Sequence, residues 1–134
     1  MPRGNTVLQA GDEVYVAGAR NAVAELYDRF WPDNSAAGPI LVAGANRLSR
    51  QLVPKLCDLG LNVRVIEKEE GPAAAFLDEL GRRAMLIRGE ATNGDVLEEA
   101  GVSGCRAFIS ILDDDEDNIL SSILAKQQGA RKVI

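Results

Sequence analysis

The chain from residue 40 onward alternates between short apolar runs and longer amphipathic stretches. The apolar runs predict strands at residues 40–43, 62–67, 84–88 and 106–112, with a fifth strand beginning at 132–134. The first of these runs is continuously apolar, which is typical of a strand that is covered on both faces.

Helical spacing follows each of the first two strands. In the first helix, the predicted buried face consists of Leu48, Leu52, Leu56 and Leu59. Gly60 ends this helix, and Pro54 inside it removes one backbone hydrogen bond and predicts a kink. A second helix is predicted to begin at Gly71-Pro72 and to end at Leu80-Gly81.

Two more helices are predicted after the third and fourth strands. Thr92 precedes a short helix, and Asp95 three residues later gives a start that resembles a capping box. The acidic run at residues 113–117 leads into a helix that ends at Gly129. Alternating strands and helices predict an α/β fold with a doubly wound parallel sheet of order 3-2-1-4-5. Because the chain stops inside the fifth strand, we expect this sheet to be truncated.

Residues 1–31 show a different pattern. Residues 13–17 alternate as a strand does, and a short amphipathic helix follows with Val23, Leu26, Tyr27 and Phe30 on one face. This small α+β segment is too short to bury a core of its own. Residues 32–39 are rich in proline, glycine and small residues, and they predict a linker to the domain at 40–134.

The charge and composition exclude several functional classes. The net charge of −5 argues against nucleic acid as a partner, because phosphate binding needs a basic face. The sequence has no histidine, which removes the Ser-His-Asp triad and most zinc sites. No metal site is predicted. Cys57 and Cys105 are interpreted as small apolar packing residues.

The turn after the first strand carries the first candidate binding residues. Residues 44–49 stand where a dinucleotide-binding fold has G-x-G-x-x-G, and they keep Gly44 but have Asn46 and Ser49 in place of the other two glycines. We expect Asn46 to tolerate the left-handed backbone region while its side chain crowds the path of a pyrophosphate. We also expect the helix N-terminus to keep unpaired N–H groups for an anion.

Two further segments fall at the ends of the next strands. Glu67 lies 23 residues after Gly44, where an acid accepts hydrogen bonds from ribose hydroxyls and favours NAD or adenosine over NADP. Lys68 lies beside it, and the alternative is that Glu67 is a solvated residue in a charged run. The loop at residues 89–92 can lend backbone groups to an adenine, or can be an ordinary loop with Thr92 as an N-cap.

The acidic run at 113–117 has two interpretations. Acids in the first turn of a helix are stabilising by about 0.3–1 kcal/mol each through the helix dipole. The alternative is a site for a hard cation, since clustered carboxylates suit such ions.

Several motifs in the correct order carry a resemblance to a known family. They are ILVAGANRLSRQL, VRVIEKE, RGEAT, VLEEAGV and the stretch DDDEDNILSSILAKQQGARKVI. Together they resemble the TrkA family of potassium-transport regulators, whose Rossmann-like nucleotide-binding unit is the RCK-N or KTN domain. Residues 40–134 resemble that unit, and residues 1–31 resemble the tail of a preceding RCK-C domain.

The resemblance implies a regulatory function without catalysis. It implies a cytoplasmic homo-oligomer at the inner face of the membrane, held there by an integral-membrane potassium-translocating subunit. The implied ligands are NAD or NADH, and also ATP or ADP. The residues implied to contact the phosphates are Gly44, Ala45, Asn46 and Arg47; those for the ribose are Glu67 with Lys68, and those for the base are Glu90, Ala91 and Thr92.

Two alternatives stay open. Asn46, Ser49 and Glu90 depart from the residues usual in the family, and these departures favour a degenerate scaffold that mediates subunit contacts without a ligand. A fragment of an NAD-dependent oxidoreductase is disfavoured by the lack of histidine, of a Tyr-x-x-x-Lys pair and of a substrate domain.

Overall fold

The computed structural model of the chain describes residues 38–134 continuously, together with positions 7, 9, 17–19 and 22. The chain divides into two units, Met1–Asp33 and Asn34–Ile134, and the sheet and its helices belong to the second. Apart from those isolated positions, the elements predicted within residues 1–31 and most of the linker at 32–39 lie outside the described residues. The domain boundaries therefore stay predictions.

Four parallel strands form a single sheet in the second unit. They are β1 (Ile40–Ala43), β2 (Val63–Glu67), β3 (Met85–Arg88) and β4 (Ala107–Ser110). Their spatial order is β3-β2-β1-β4, and Ile40 lies opposite both Val63 and Ala107. A parallel bridge joins Phe108 of β4 to Val133, on the side of β4 where a fifth strand was expected. The predicted doubly wound fold is confirmed.

Helices cover both faces of this sheet. They are α1 (Arg47–Asp58), α2 (Glu70–Leu80), α3 (Gly94–Glu99) and α4 (Asp115–Gln127), with short 3₁₀ turns at Gly81–Arg83 and Val102–Gly104. Leu41, Ala43 and Ile66 pack on one face with α3 and α4, whereas Val42 and Val65 pack on the other with α1 and α2. The central strand β1 therefore has apolar residues at all four positions, which explains its continuous apolar run.

The buried face of α1 differs from the predicted one. Ser49 and Val53 are its buried residues, whereas Leu48 is 56% and Leu59 is 64% exposed. The prediction is therefore wrong for Leu48 and Leu59, whereas Leu56 packs against the core as predicted, and the helix turns Ser49 and Val53 inward. The helix continues unbroken through Pro54.

The starts of α2 and α3 also correct the sequence prediction. α2 begins at Glu70, so Pro72 is its third residue and not its first. The N-cap of α3 is Asn93, whose side-chain oxygen accepts a hydrogen bond from the Asp95 N–H at 2.9 Å. Thr92 therefore lies one residue before the cap, and the prediction that it caps the helix is wrong.

The acidic run begins α4. The Asp114 side chain accepts hydrogen bonds from the backbone N–H groups of Glu116 and Asp117 at 2.8 and 3.2 Å. The interpretation of the run as a helix start is confirmed, and Asp114 is the residue that caps it. No helix in the described part of the chain combines the length and apolar character that a membrane span requires.

Candidate functional site

Gly44 forms the turn between β1 and α1 and brings it close to the end of β4. Its φ of +102° lies in a region that side chains rarely adopt. A Cβ atom at this position would lie 2.8 Å from the Ile111 carbonyl oxygen, a contact that real Cβ atoms do not make. The Gly44 N–H donates to the Ile66 carbonyl at 2.8 Å. Glycine is therefore required for this turn to pass between β2 and the residues after β4.

Asn46 adopts a conformation that the sequence did not predict. Its backbone is extended, with φ −76° and ψ −175°, and it is the N-cap of α1. Its Oδ1 accepts hydrogen bonds from the N–H groups of Leu48 and Ser49 at 3.0 and 3.2 Å. Asn46 does not use the left-handed region that it was expected to tolerate, and its side chain takes two of the N–H groups that were expected to be unpaired at this helix start.

The Asn46 amide also joins the turn to the loop after β4. Its Nδ2 donates to the Ile111 carbonyl at 2.6 Å and to Asp113 Oδ1 at 3.1 Å. The side chain therefore makes four hydrogen bonds, two as an acceptor and two as a donor, which is its usual capacity. Asn46 holds the two loops together across the carboxyl edge of the sheet.

Glu67 ends β2 and is almost completely buried, at 9% exposure. Its two carboxylate oxygens accept hydrogen bonds from the Ala45 N–H and the Glu69 N–H, each at 2.7 Å. These charge-assisted bonds offset the cost of burying the carboxylate. The alternative interpretation of Glu67 as a solvated charge is therefore wrong. Each oxygen retains a lone pair for a further donor.

Lys68 connects three elements. Its Nζ lies 3.4 Å from a carboxylate oxygen of Glu90 and 3.9 Å from one of Asp117. The hydrogen bond and charge of Glu90 raise the pKa of Lys68 above its usual value. The side chain therefore remains an ammonium ion at neutral pH, paired with carboxylates from the loop after β3 and from the first turn of α4.

A cavity lies at the carboxyl edge of the sheet, where these segments meet. Seven of the nine predicted binding residues line it, namely Gly44, Asn46, Glu67, Lys68, Glu90, Ala91 and Thr92. The remaining two do not: Ala45 is fully buried and Arg47 is exposed at the first residue of α1. Ala45 contributes through its N–H group, which donates to Glu67.

One wall of the cavity consists of residues that were not predicted to bind a ligand. Leu112, Asp113, Asp114 and Asp117 line it from the loop after β4 and the start of α4. The signal was present, because the residues after every strand of a parallel sheet meet at the same edge. Glu69, Pro72 and Gly89 also line the cavity and belong to the segments after β2 and β3.

Asn118 fixes the loop that forms this wall. Its Oδ1 accepts a hydrogen bond from the Leu112 N–H at 2.7 Å, and its Nδ2 donates to the Leu112 carbonyl at 2.8 Å. Ser110 donates to the same Oδ1 at 2.8 Å and lies 2.9 Å from the hydroxyl of the buried Ser121. The side chain thereby replaces the strand partner that Leu112 would have had in a longer β4.

The cavity is strongly acidic. Six carboxylate side chains and one ammonium are among the described residues that line it, and the ammonium is that of Lys68. Across residues 38–134 and the isolated described positions, no group of three or more His, Cys, Asp or Glu side chains is arranged to hold a metal ion. The arrangement is suited to binding a polar ligand through carboxylates and backbone groups.

The cavity differs in what its two sides offer to a ligand. On one side, the Glu67 carboxylate supplies hydrogen-bond acceptors, and the loop with Glu90, Ala91 and Thr92 lies beside it. A pyrophosphate needs N–H donors at the start of α1, and two of these are already bonded to Asn46. The site therefore presents carboxylate acceptors at Glu67 and fewer available N–H donors at the start of α1.

The parallel sheet with helices on both faces and a cavity at its carboxyl edge defines a Rossmann-like α/β domain. The TrkA-N domain family matches residues 40–134, and the TrkA-C domain family matches residues 1–30. The chain belongs to the TrkA family.

Relatives in this family align along nearly the whole chain. The Trk system potassium uptake protein TrkA of Halomonas elongata is 31% identical over 134 residues, which is 100% of this chain and 29% of that protein. The protein of the same name from Vibrio alginolyticus is 28% identical over 133 residues, covering 99% of this chain and 29% of that protein. The chain thus spans less than a third of the length of these relatives.

Solved structures share the fold. A GsuK channel bound to NAD has a TM-score of 0.64 at 19% identity, covering 83% of this chain and 21% of that chain. A GsuK structure bound to ADP has a TM-score of 0.60 at 17% identity, covering 93% and 46%. The TrkA-N domain of the inner membrane protein ybaL from Escherichia coli has a TM-score of 0.52 at 19% identity, covering 75% and 88%.

Proposed function

We propose that this chain is part of a cytoplasmic regulatory subunit that senses an adenine nucleotide and controls a membrane potassium uptake system. The names of its TrkA relatives support the connection to potassium uptake. NAD and ADP in the GsuK structures support an adenine ligand, and the proposed ligand class comprises these two together with NADH and ATP. The partner would be an integral-membrane potassium-translocating subunit.

The observation that carries this proposal is the cavity at the carboxyl edge of the sheet. It joins the Gly44 turn, the buried Glu67 and the loop with Glu90, Ala91 and Thr92. In an open parallel sheet, ligands bind in the crevice beyond the carboxyl ends of the strands. Glu67 binds the ribose hydroxyls in this proposal, and residues 90–92 contact the base. No side chain is assigned a catalytic role, because the cavity supplies contacts for binding and recognition.

Calorimetry on the 134-residue chain tests this proposal. Adenosine, AMP, ADP, ATP, NAD and NADH are titrated into the wild type and into Glu67→Gln, which removes the charge and one of the two carboxylate acceptors. We expect at least one of these ligands to bind, and Glu67→Gln to weaken that ligand by about tenfold or more, as loss of a charge-assisted hydrogen bond implies. Glu99→Gln on the exposed side of α3 is the matched control and should bind normally.

A scaffold without a ligand is the second candidate function. The observation that favours it is the internal capping of the site, since Asn46 and Asp114 already bond the N–H groups at the starts of α1 and α4. In that case none of the six ligands would bind the wild type, and Glu67→Gln would change only the stability. That result would contradict the sensing proposal and leave subunit assembly as the function of this domain.

A further inference from the structure

We propose that the cavity selects an adenine nucleoside over its pyrophosphate-bearing nucleotides, and that Asn46 determines this selection. The inference rests on the adenine site of the proposed function and ranks its ligands: the adenosine portion provides the affinity, and the phosphates of ADP and NAD reduce it. Three features of the described residues support it: the use of the helix N-terminal donors, the anchoring of Asn46 and the charge of the cavity walls.

The first feature is the occupation of the donors that would bind phosphate. Asn46 Oδ1 accepts from the N–H groups of Leu48 and Ser49, two of the groups that a pyrophosphate could use at the start of α1. The start of α4 is capped in the same manner by Asp114. A phosphate must displace the Asn46 or the Asp114 side chain before it can bond any of these four N–H groups.

The second feature is that Asn46 is itself held in place. Its Nδ2 donates to the Ile111 carbonyl at 2.6 Å and to Asp113 at 3.1 Å. Rotating the side chain away from the helix would break these two bonds as well as the two cap bonds. A phosphate can take the place of the Asn46 side chain only if all four of these hydrogen bonds break. This favours the arrangement in which Asn46 stays bonded to the helix start.

The third feature is electrostatic. Six carboxylates line the cavity against the one ammonium of Lys68, which is already paired with Glu90 and Asp117. A cleft lined by one sign of charge repels ligands of that sign. Each phosphate added to adenosine increases this repulsion. The Glu67 carboxylate attracts ribose hydroxyls because they are hydrogen-bond donors and carry no charge.

The test compares adenosine, AMP, ADP and NAD by calorimetry on the 134-residue chain, with and without Mg²⁺. We expect affinity to fall from adenosine to AMP to ADP and NAD. Asn46→Gly frees the two N–H groups, and we expect it to raise the affinities for ADP and NAD by about tenfold or more, since each freed donor can bond a charged acceptor. The affinity for adenosine should change little.

Asn93→Gly is the matched control. It makes the same substitution at the N-cap of α3, outside the cavity, and should leave all four affinities unchanged. Glycine is also an acceptable N-cap, so both variants should fold. Asn46→Asp is a second variant that keeps the cap acceptors and adds a charge, and it should weaken ADP further while retaining adenosine.

The outcomes separate this inference from the proposed function. If the wild type binds ADP or NAD more tightly than adenosine, with or without Mg²⁺, the sensing proposal stands and the selection is wrong. If Asn46→Gly raises the affinities for adenosine and ADP equally, Asn46 does not determine the selection. If no ligand binds the wild type or Asn46→Gly, both the inference and the proposed function fail. Arg47→Ala should leave the affinity for ADP unchanged. A loss of ADP binding in this variant would show that the Arg47 side chain, at the first residue of α1, binds the phosphates.

Discussion

The Gly44 turn shows how two neighbouring residues can have opposite effects on a binding site. Gly44 keeps the close approach of backbone that a nucleotide fold needs, because its α-carbon faces the Ile111 carbonyl. Asn46, two residues later, uses the same geometry to bond the turn to the loop after β4. The turn therefore has the backbone shape of a phosphate-binding loop, but its side chain at position 46 already bonds two of the N–H groups at the helix start.

Two contributions to the stability cost of replacing Gly44, the close contact with Ile111 and the backbone strain, can be separated by comparing Gly44 with Gly60. Gly60 has φ +75° and nothing within 4 Å of a built Cβ, so Gly60→Ala should cost about 1–2 kcal/mol of strain alone. Gly44→Ala adds the clash with the Ile111 carbonyl and should cost roughly 1–3 kcal/mol more. Urea unfolding followed by circular dichroism measures both. Equal losses in the two variants would contradict the argument that Gly44 is needed for the close approach.

The two thiols should differ in their reaction with Ellman's reagent. Cys105 is fully buried in the core with Phe108, whereas Cys57 is partly exposed and its Sγ donates to the Arg83 carbonyl at 3.3 Å. Burial raises the pKa of both thiols, so each has less reactive thiolate at neutral pH than a free cysteine. We expect Cys57 to react first, with a rate that rises as the pH increases through its raised pKa.

Cys105 should react only as the protein unfolds. The rate at which the Cys105 thiol reacts should increase with urea concentration and be slower than that of Cys57. Cys105→Ser should remove this slow reaction and leave the reaction of Cys57 unchanged. Fast labelling of Cys105 in the native protein would contradict its placement in the core. Both cysteines were predicted as packing residues, and their burial agrees with that prediction.

At the residue scale, the sequence predicted positions better than conformations. The place of Glu67 beside the Gly44 turn followed from strand ends meeting at one sheet edge. The conformation of Asn46 did not follow, because asparagine is suited both to the left-handed region and to an N-cap. The choice depends on partners 65 and 67 residues away, Ile111 and Asp113, which local sequence does not reveal.

At the element scale, the end of β4 is the most informative feature. The apolar run predicted a strand to residue 112, but β4 ends at Ser110. Beyond that point Asn118 supplies both the donor and the acceptor that bond Leu112. A helix side chain therefore completes the pairing, and it also determines where the cavity wall begins.

Asn118→Ala should loosen this wall. The variant loses the hydrogen bonds to both backbone groups of Leu112 and should cost about 1–3 kcal/mol, because partly buried groups are left unpaired. Amide hydrogen exchange at Leu112 should accelerate more than exchange within β1 and β2. Asn93→Ala is the matched control, which loses a single cap bond and should cost about 1 kcal/mol without affecting Leu112. Unchanged exchange at Leu112 in Asn118→Ala would contradict the role of this side chain.

The error in α1 has a physical reason. This helix has two adjacent lines of residues that could face the sheet, one through Leu48 and Leu52 and one through Ser49 and Val53. Leucine spacing favoured the first line, since a buried serine is unusual. The Ser49 hydroxyl donates to the Asn46 carbonyl at 2.8 Å, so it is buried without an unpaired group. Small size and local bonding therefore decided which line meets the sheet.

At the scale of the whole molecule, the fold was the most predictable property. Continuous apolar strands separated by helices have few solutions other than a parallel sheet covered on both faces. The edge where the loops meet follows from that topology. The pattern could not predict which apolar residues remain exposed after folding, because the exposure of a side chain depends on how all the elements pack together.

The exposed apolar residues of α4 predict self-association. Ile119 is 62%, Leu120 46% and Ile123 50% exposed, and Ile119 and Ile123 are one turn apart on the same face. The opposite face, with Ser121 and Ala125, is buried against the rest of the domain. A second candidate, the predicted helix with Tyr27 and Phe30, lies outside the described residues.

Light scattering at increasing protein concentration measures this association. We expect the wild type to exceed the monomer mass, because covering a cluster of exposed aliphatic side chains is favourable by about 25 cal/mol for each Å² of apolar surface removed from water. Ile119→Lys with Ile123→Lys should shift the protein to the monomer, since the added charges repel and are costly to bury. Leu77→Lys on α2 is the matched control, because Leu77 is 45% exposed and on a different helix. If the wild type is monomeric throughout, or if Leu77→Lys has the same effect as the α4 variant, the face of α4 is not the association surface.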